Sequence, residues 1–539
     1  MEKEIIETNE EKVELINDEI DNNLEKNSKN KNGEATIKET KNIQTIEKIT
    51  RKENLFILSL IFLSAFIVLS IYWIRITTGN LTLEQLIFHL LVPVKGTNMG
   101  MIWDYARWTF LRVLGITTIA GIIIFLFEKI VKLRKKTIKK ILYTFSKITL
   151  LASIITVLFM VNAFAFVKNQ ITASSLIEKE YVDPEKANIT FPEQKQNLIY
   201  IYLESLENTY TSTENGGIYN EDRMPELTQL AKENISFSNT DKLGGALDLK
   251  GSNWTIAAMV SHTAGVPLKI TIGDNDYGNH STFLPGSYSL GEILEKNGYK
   301  NYLLLGSVAD FGGRKAYFES HGNYEIWDFD VAKAQGRITE EEEVWWGYSD
   351  SNLFKFAKEQ LTKIAQNDEP FNYTFLTADT HFTDGYYCEK CDNHFDDQYS
   401  NVIRCSSKQV QEFVNWIKEQ PFYENTTIVI AGDHLTMQAS IEEETKEANY
   451  GERTIYNAFI NAKVETIKEN TINREFFTID LYPTTLAALG VKIEGNKLAL
   501  GTNLFSEEPT IAEKYGLEHV REELMKKSNF YNNKLIYDK

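Results

Sequence analysis

Three uncharged apolar runs crowd into segment 55–167: Leu55–Ile74, the stretch from Val113 to Phe127, and Ile148–Val167. A helix needs about 20 apolar residues to cross the hydrocarbon layer of a bilayer. The runs therefore predict three transmembrane helices, near 55–74, 107–127 and 148–167. Arg107 and Arg112 enter the second span and have to snorkel or face protein. Buried core helices of a water-soluble protein are the competing reading, and three such runs in close succession disfavour it. Residues 1–54 contain no Phe, Trp, Tyr, Pro or Cys and are dense in Glu, Lys and Asn. Such a segment buries too little apolar surface to offset the entropy of ordering it, so a disordered tail is expected. Ile5, Val13, Ile16, Ile20 and Leu24 mark an alternative, a short amphipathic helix.

Basic residues orient the spans. Lys48, Arg51 and Lys52 precede the first, and Lys129, Lys132, Arg134, Lys135, Lys136, Lys139 and Lys140 lie between the second and third. Both clusters belong in the cytoplasm by the positive-inside rule. The N-terminus is then cytoplasmic, and loop 75–108, with Trp103, Tyr105 and Trp108 as an aromatic belt, lies outside. Everything after Val167 is extracytoplasmic in a multi-pass protein of the cell membrane. The first run starts too late for an ordinary cleaved signal peptide, which favours retention as an anchor. A net charge of −18 argues against a broad nucleic-acid-binding surface, so no nucleic-acid partner is expected.

Residues 168–196 read as a polar connector broken by Pro184 and Pro192. From Asn197 short apolar strands alternate with helical stretches. Asn197–Leu203, Tyr299–Leu305, Tyr373–Thr377 and Thr426–Ala431 are strand candidates. Glu226–Glu233, Leu290–Lys296 and Ile479–Leu489 are helix candidates. This alternation predicts an α/β domain over 197–505 with a largely parallel sheet, followed by a helical extension over 506–539. Ligand sites in such sheets gather at the carboxyl ends of the strands.

Glu204 directly follows the first strand, and Asp433-His434 follows the TTIVIA strand through Gly432. Carboxylates and an imidazole at two strand ends can converge on one divalent cation, Mn²⁺, Zn²⁺ or Mg²⁺. Singly, each has a bland reading as a cap, an exposed charge or a satisfied polar group. Gly251-Ser-Asn-Trp-Thr255 then leads into an apolar helix, where N–H groups and the helix dipole favour an anion. Thr255 is either a nucleophile activated by a metal ion or an N-cap worth about 1 kcal/mol. Position alone leaves both open.

The runs NLIYIYLESLENTY (197–210), GSNWTIAAMVSHTAGVPL (251–268), DTHFTDGY (379–386), IVIAGDH (428–434), IDLYPTTLAALG (479–490) and LGTNLF (500–505) resemble the membrane phosphoglycerol transferases. These are the osmoregulated periplasmic glucan phosphoglycerol transferases and, more distantly, the lipoteichoic acid synthases, in the sulfatase-like branch of the alkaline phosphatase superfamily. The resemblance implies an alkaline-phosphatase/sulfatase-like fold behind the transmembrane helices. It implies one metal ion, typically Mn²⁺, held by Glu204, Thr255, Asp433 and His434, with Thr255 as nucleophile. His381 would contact the substrate phosphate or leaving group. Arg314, in Phe311-Gly-Gly-Arg314, stands where the synthases carry an arginine for the glycerophosphate, but the tryptophan they place beside the aromatic is missing. Trp346-Gly-Tyr-Ser-Asp350 also resembles a family segment, without an assigned role. The implied reaction passes glycerophosphate from phosphatidylglycerol to Thr255 and then to a glycan or glycolipid acceptor. His262 reads as a packed side chain.

Cys388-Glu-Lys-Cys391, with His394 and Cys405 nearby, supplies enough ligands for zinc, whereas an extracytoplasmic location favours a disulfide. The resemblance implies the pair Cys391–Cys405, with Cys388 left over. Among rival functions, a formylglycine sulfatase needs Cys or Ser in C/S-x-P-x-R, which does not occur here. A two-metal phosphatase needs a second ligand set. Phosphoethanolamine transfer shares the threonine logic and is the main enzymatic alternative. A membrane-tethered binding module is the non-enzymatic one, and it gives no reason for a hydroxyl at the helix start.

Overall fold

The computed structural model describes residues 34–79, 82–92, 95–130, 135–270 and 282–538. The stretch Ile5–Leu24, Lys132, Arg134 and His280 lie outside them. Two compact units form. One takes in the chain up to Trp73 together with Asp104–Met160, and the other Ile74–Trp103 together with the chain from Val161.

The N-terminal helices are α1 (Glu34–Thr78), α2 (Leu83–Leu91), α3 (Met99–Ile130), α4 (Lys135–Met160) and α5 (Ala163–Ile171). Among the described residues, three stretches are long and apolar enough to cross a membrane: Arg51–Thr78, Met99–Ile130 and Thr137–Met160. Every span is displaced from the sequence reading at its ends, the second and third beginning well before 107 and 148, and two shifts have a plain local cause. Helix α1 begins at Glu34, so the last part of the expected tail is helical. No Gly or Pro interrupts 34–78, and a helix already nucleated extends at little cost. The third span ends at Met160 rather than Val167. Asn162 takes the left-handed conformation (φ 53°) and turns the remaining apolar residues into α5, which buries Ala163 and Phe166. In the first unit the Arg112 guanidinium lies 3.9 Å from the Trp108 ring centroid, and Arg107 pairs with Asp104. Both charges thus find local partners.

The second unit is built on a six-stranded sheet. Its strands are β1 (Asn197–Leu203), β2 (Lys300–Leu305), β3 (Glu325–Trp327), β4 (Phe371–Leu376), β5 (Thr426–Gly432) and β6 (Asn457–Ile460), in the order β3-β2-β4-β1-β5-β6. All neighbours are parallel except β5 and β6. Every residue of β1 is buried, as a central parallel strand covered on both faces requires. Its side chains alternate between two cores. Leu198, Tyr200 and Tyr202 join one, and Ile199, Ile201 and Leu203 the other. Helices α6 (Pro225–Glu233), α7 (Thr255–Ala264), α8 (Leu290–Lys296), α9 (Arg314–Ser320), α10 (Asp350–Ile364), α11 (Gln398–Lys418) and α12 (Leu481–Ala488) cover the sheet. Apolar residues of α7, α8, α9 and α12 belong to the first core, and those of α6, α10 and α11 to the second.

The stretches 168–196 and 506–538 are woven into this unit. Ile189–Thr190 pairs with Lys492–Ile493, and Val520, Leu524, Tyr531 and Leu535 are buried in the first core. Helix α2 carries a capping box between Thr82 and Gln85 and buries Phe88 against Trp254, one residue before Thr255.

Candidate metal centre and nucleophile

Strands β1 and β5 are neighbours in register, with Leu203 opposite Gly432. The residue after each strand therefore emerges at the same sheet end. Glu204 leaves β1, and Asp433-His434 leaves β5. Their relative exposures are 2%, 0% and 2%, and one ligand atom from each lies within 4.8 Å of the others. His434 Nε2 is 3.4 Å from Asp433 Oδ2 and 3.6 Å from Glu204 Oε1. His434 Nδ1 bonds to the Leu435 carbonyl at 2.8 Å. A carbonyl can only accept, so Nδ1 carries the proton and Nε2 turns its lone pair toward the carboxylates when the ring is neutral.

The backbone holds this constellation rigidly. Ser205 sits at φ 56°, a conformation costly for a residue with a Cβ. There its N–H donates to Asp433 Oδ1 at 2.8 Å and its hydroxyl to Glu204 Oε1 at 2.8 Å. Thr377 Oγ1 accepts from the Glu204 N–H at 3.0 Å, and Thr380 Oγ1 donates to the Glu204 carbonyl at 2.6 Å. Thr377 and the DTH segment thus pin the strand end that carries Glu204. Burial and the Glu204 charge push the Asp433 carboxyl up to about 7. Burial opposes the ionised form of Glu204 as well, but His434, His381 and the Ser205 hydroxyl hold that carboxyl below its ordinary value.

Helix α7 starts at Thr255. Trp254 occupies the N-cap position, and no side chain caps the helix. The N-cap reading of Thr255 is therefore corrected, because its hydroxyl is one position too far along to bond the first-turn amides. Instead Oγ1 donates to Glu204 Oε2 at 3.4 Å. That bond joins the hydroxyl to the three ligands predicted with it. His262 is fully buried and bonds to the Tyr200 hydroxyl through Nδ1, as a packed side chain should.

The donor set fits a divalent cation. Asp433 Oδ2 is buried with no hydrogen-bond partner among the described residues, and buried carboxylate oxygens are rarely left so. Two carboxylates and an imidazole nitrogen converge, with the Thr255 and Ser205 hydroxyls and the Ser205 and His434 N–H groups as donors, and none of these reaches Asp433 Oδ2. Glu204, Asp433, His434 and Thr255 are the residues that would hold such an ion.

His381 borders this centre. Its Nδ1 donates to the Phe382 carbonyl at 2.6 Å, which leaves Nε2 to act. Burial lowers its pKa, while the Glu204 charge works against that. Arg314 is buried. Its Nε and Nη2 bond the Phe311 and Val308 carbonyls, and burial brings it down to about 10 against the opposing charge of Glu204. Two of its nitrogens thus serve the turn that carries it.

The sequence reading missed the part played by 346–350. Trp346 packs 5.4 Å from the Phe311 ring and 4.8 Å from His381, and its buried indole N–H has no partner among the described residues. A tryptophan does stand beside Phe311, supplied by another segment. At the other end of that segment, Asp350 accepts from the Ala378 and Asp379 N–H groups and fixes the turn before His381. Ser205 and Thr380 were also overlooked, although each adjoins a residue already singled out.

The cysteines depart from expectation. All three are free thiols, and the expected Cys391–Cys405 disulfide is not formed. Cys388 lies between the other two, 3.7 Å from Cys391 and 3.8 Å from Cys405. It is the shared neighbour rather than the residue left over.

Residues 196–491 match the sulfatase family. Phosphoglycerol transferase I of Escherichia coli O127:H6 is 31% identical over 335 residues, covering 60% of this chain and 41% of that protein. Phosphoglycerol transferase I of Citrobacter koseri is 31% identical over 319 residues, covering 58% and 39%. The chain thus spans about two fifths of the length of these curated relatives. Among solved structures, the lipoteichoic acid synthase LtaP of Listeria monocytogenes aligns with a TM-score of 0.46 at 18% identity, covering 62% of this chain and 82% of that one.

Proposed function

The chain belongs to the sulfatase family, and on that premise we propose that it is a membrane-anchored phosphoglycerol transferase. It moves glycerophosphate from phosphatidylglycerol to an extracytoplasmic glycan or glycolipid. The observation that carries this reading is the Thr255 hydroxyl bonded to Glu204 beside the buried Asp433 and His434. The relatives named phosphoglycerol transferase I support the choice of transferred group.

A divalent cation bound there, Mn²⁺ in this reading, supplies Lewis-acid polarisation of a phosphoryl oxygen and acidifies a ligated alcohol. Thr255, its hydroxyl proton released to solvent, attacks phosphorus, and the bond to the diacylglycerol oxygen breaks as the bond to Oγ1 forms. His381, in its imidazolium form, donates the Nε2 proton to the departing oxygen and recovers one from the acceptor hydroxyl in the second displacement. That displacement releases Oγ1, which takes a proton back from solvent. Arg314 adds positive charge near the phosphoryl group, and Trp346 with Phe311 walls the glycerol side. The positive-inside reading places this domain outside the cell, and anchoring raises the local concentration of a lipid donor.

The test uses the full chain in detergent with Mn²⁺ and head-group-labelled phosphatidylglycerol. Diacylglycerol release and a glycerophosphate adduct on Thr255, both lost in Thr255→Ala, support the reading. Equal release by Thr255→Ala refutes the covalent route. Adduct formation from labelled phosphatidylethanolamine alone assigns the transferred group to phosphoethanolamine.

A further inference from the structure

The DTHFTDGY segment runs directly into Cys388-Glu-Lys-Cys391, and α11 brings Cys405 against it. The three sulfurs lie within 4.8 Å of one another, with two separations of 3.7 and 3.8 Å. Ligands at a zinc–sulfur distance of about 2.3 Å occupy tetrahedral corners about 3.8 Å apart. A disulfide requires about 2.05 Å. The two separations from Cys388 match the edge of a coordination tetrahedron.

Two observations independent of that spacing point the same way. The Cys391 N–H bonds to the Cys388 carbonyl at 3.1 Å and closes the C-x-x-C turn. Two cysteines separated by two residues on a closed turn are the usual way a chain presents a pair of sulfurs to one zinc ion. Gln409, nine-tenths buried or more, places its amide 3.6 Å from Cys405 Sγ and 3.9 Å from Cys388 Sγ, and its Oε1 has no partner among the described residues. Which end of that amide is oxygen is set by its surroundings. One orientation donates N–H to the sulfurs, and the other offers a fourth, oxygen ligand. His394 is not part of the cluster, because its Nε2 pairs with Glu221 at 2.6 Å.

We propose that Cys388, Cys391 and Cys405 form a second cation site, selective for a thiophilic ion such as Zn²⁺. Binding releases the thiol protons to solvent, and Gln409 Oε1 or water completes the coordination. Cys388 and Cys405 are buried while Cys391 is half-buried, so the ion enters from the Cys391 side. The site ties the loop carrying Asp379, Thr380 and His381 to α11. It is structural and distinct from the oxygen- and nitrogen-ligated centre.

The experiment needs no activity readout, so its outcome is separate from that of the transferase reading. The full chain, purified in detergent with a phosphine reductant and freed of metal, is titrated anaerobically with Co²⁺. Sulfur-to-cobalt charge-transfer absorption is expected, saturating at one ion per chain for this band and displaced by Zn²⁺. The oxygen and nitrogen ligands of the other centre cannot produce that band. It should fall at least tenfold in Cys388→Ser and in Cys391→Ser. The second variant alters a half-buried side chain, which guards against a folding failure. Zn²⁺ should slow the reaction of the three thiols with a disulfide reagent at least tenfold. Absence of the band from folded, fully reduced protein overturns the proposal. So does a chain isolated without reductant that is two hydrogens lighter than its reduced form, since that marks a disulfide in place of the ion.

Discussion

Arg453→Met isolates what holds the loop after His434. Glu207 is completely buried. It receives Arg453 Nε at 3.0 Å and Nη2 at 2.6 Å on its two oxygens, and the Thr436 N–H at 3.2 Å. Arg453 also donates to the Thr436 carbonyl at 3.1 Å. The pair therefore clamps Thr436, two residues beyond His434. Removing one partner of a buried pair costs about 3–5 kcal/mol, because the remaining charge is stranded. The two ends are unequal. The Glu207 side chain is 0% exposed and that of Arg453 17%. Arg453→Met leaves a carboxylate out of reach of water and should take the full cost. Glu207→Gln leaves a guanidinium that reaches solvent and should cost about 1–3 kcal/mol. The double variant removes both charges and should cost less than the sum by about 2 kcal/mol or more, a coupling typical of contacting residues. Denaturant midpoints followed by tryptophan fluorescence measure all three. Equilibrium dialysis should show Mn²⁺ bound about 10–100-fold more weakly by Arg453→Met, as when a residue behind a metal ligand is lost. A cost below about 1 kcal/mol for Arg453→Met, or strict additivity in the double variant, refutes the reasoning.

Gly432→Ala should disrupt the end of β5, because a Cβ there would lie 2.0 Å from the Leu206 carbonyl oxygen, a backbone atom. A loss of about 3 kcal/mol or more, with loss of Mn²⁺ binding, is expected from thermal unfolding and dialysis. Asp480 accepts from the Phe477 and Thr502 N–H groups, and burial raises its carboxyl from 3.8 to about 7. The folded state then holds a proton that the unfolded state has lost across that window. Its contribution is full below the lower value and falls as pH rises through the upper one. Asp480→Asn should remove this part of the stability-versus-pH slope, which denaturation midpoints at several pH values would detect as a difference from the parent chain. Chelation should lower the unfolding temperature, and Mn²⁺ at about 100 times its dissociation constant should restore about 2.7 kcal/mol. Glu204→Ala should respond to neither treatment.

Hydropathy alone marked the membrane helices, because partition between water and lipid depends on a run of residues and not on what they meet later. The buried strands Asn197–Leu203 and Thr426–Gly432 were legible for a similar reason, since period and length are local properties. Glu204 and Asp433-His434 could be singled out because each stands at the end of such a strand. Other features depended on strand order. Inserting β1 between β4 and β5 brings Glu204 to Asp433, 229 positions away in the chain, and lets Thr377 and Thr380 grip the same strand end. Local periodicity carries no record of which strands become neighbours. The same limit hid Trp346 beside Phe311 and the central place of Cys388, while position alone left Thr255 between cap and nucleophile and only the family resemblance grouped it with Glu204. Sequence declared which side chains had the chemistry, and tertiary packing decided which of them share a few cubic ångströms.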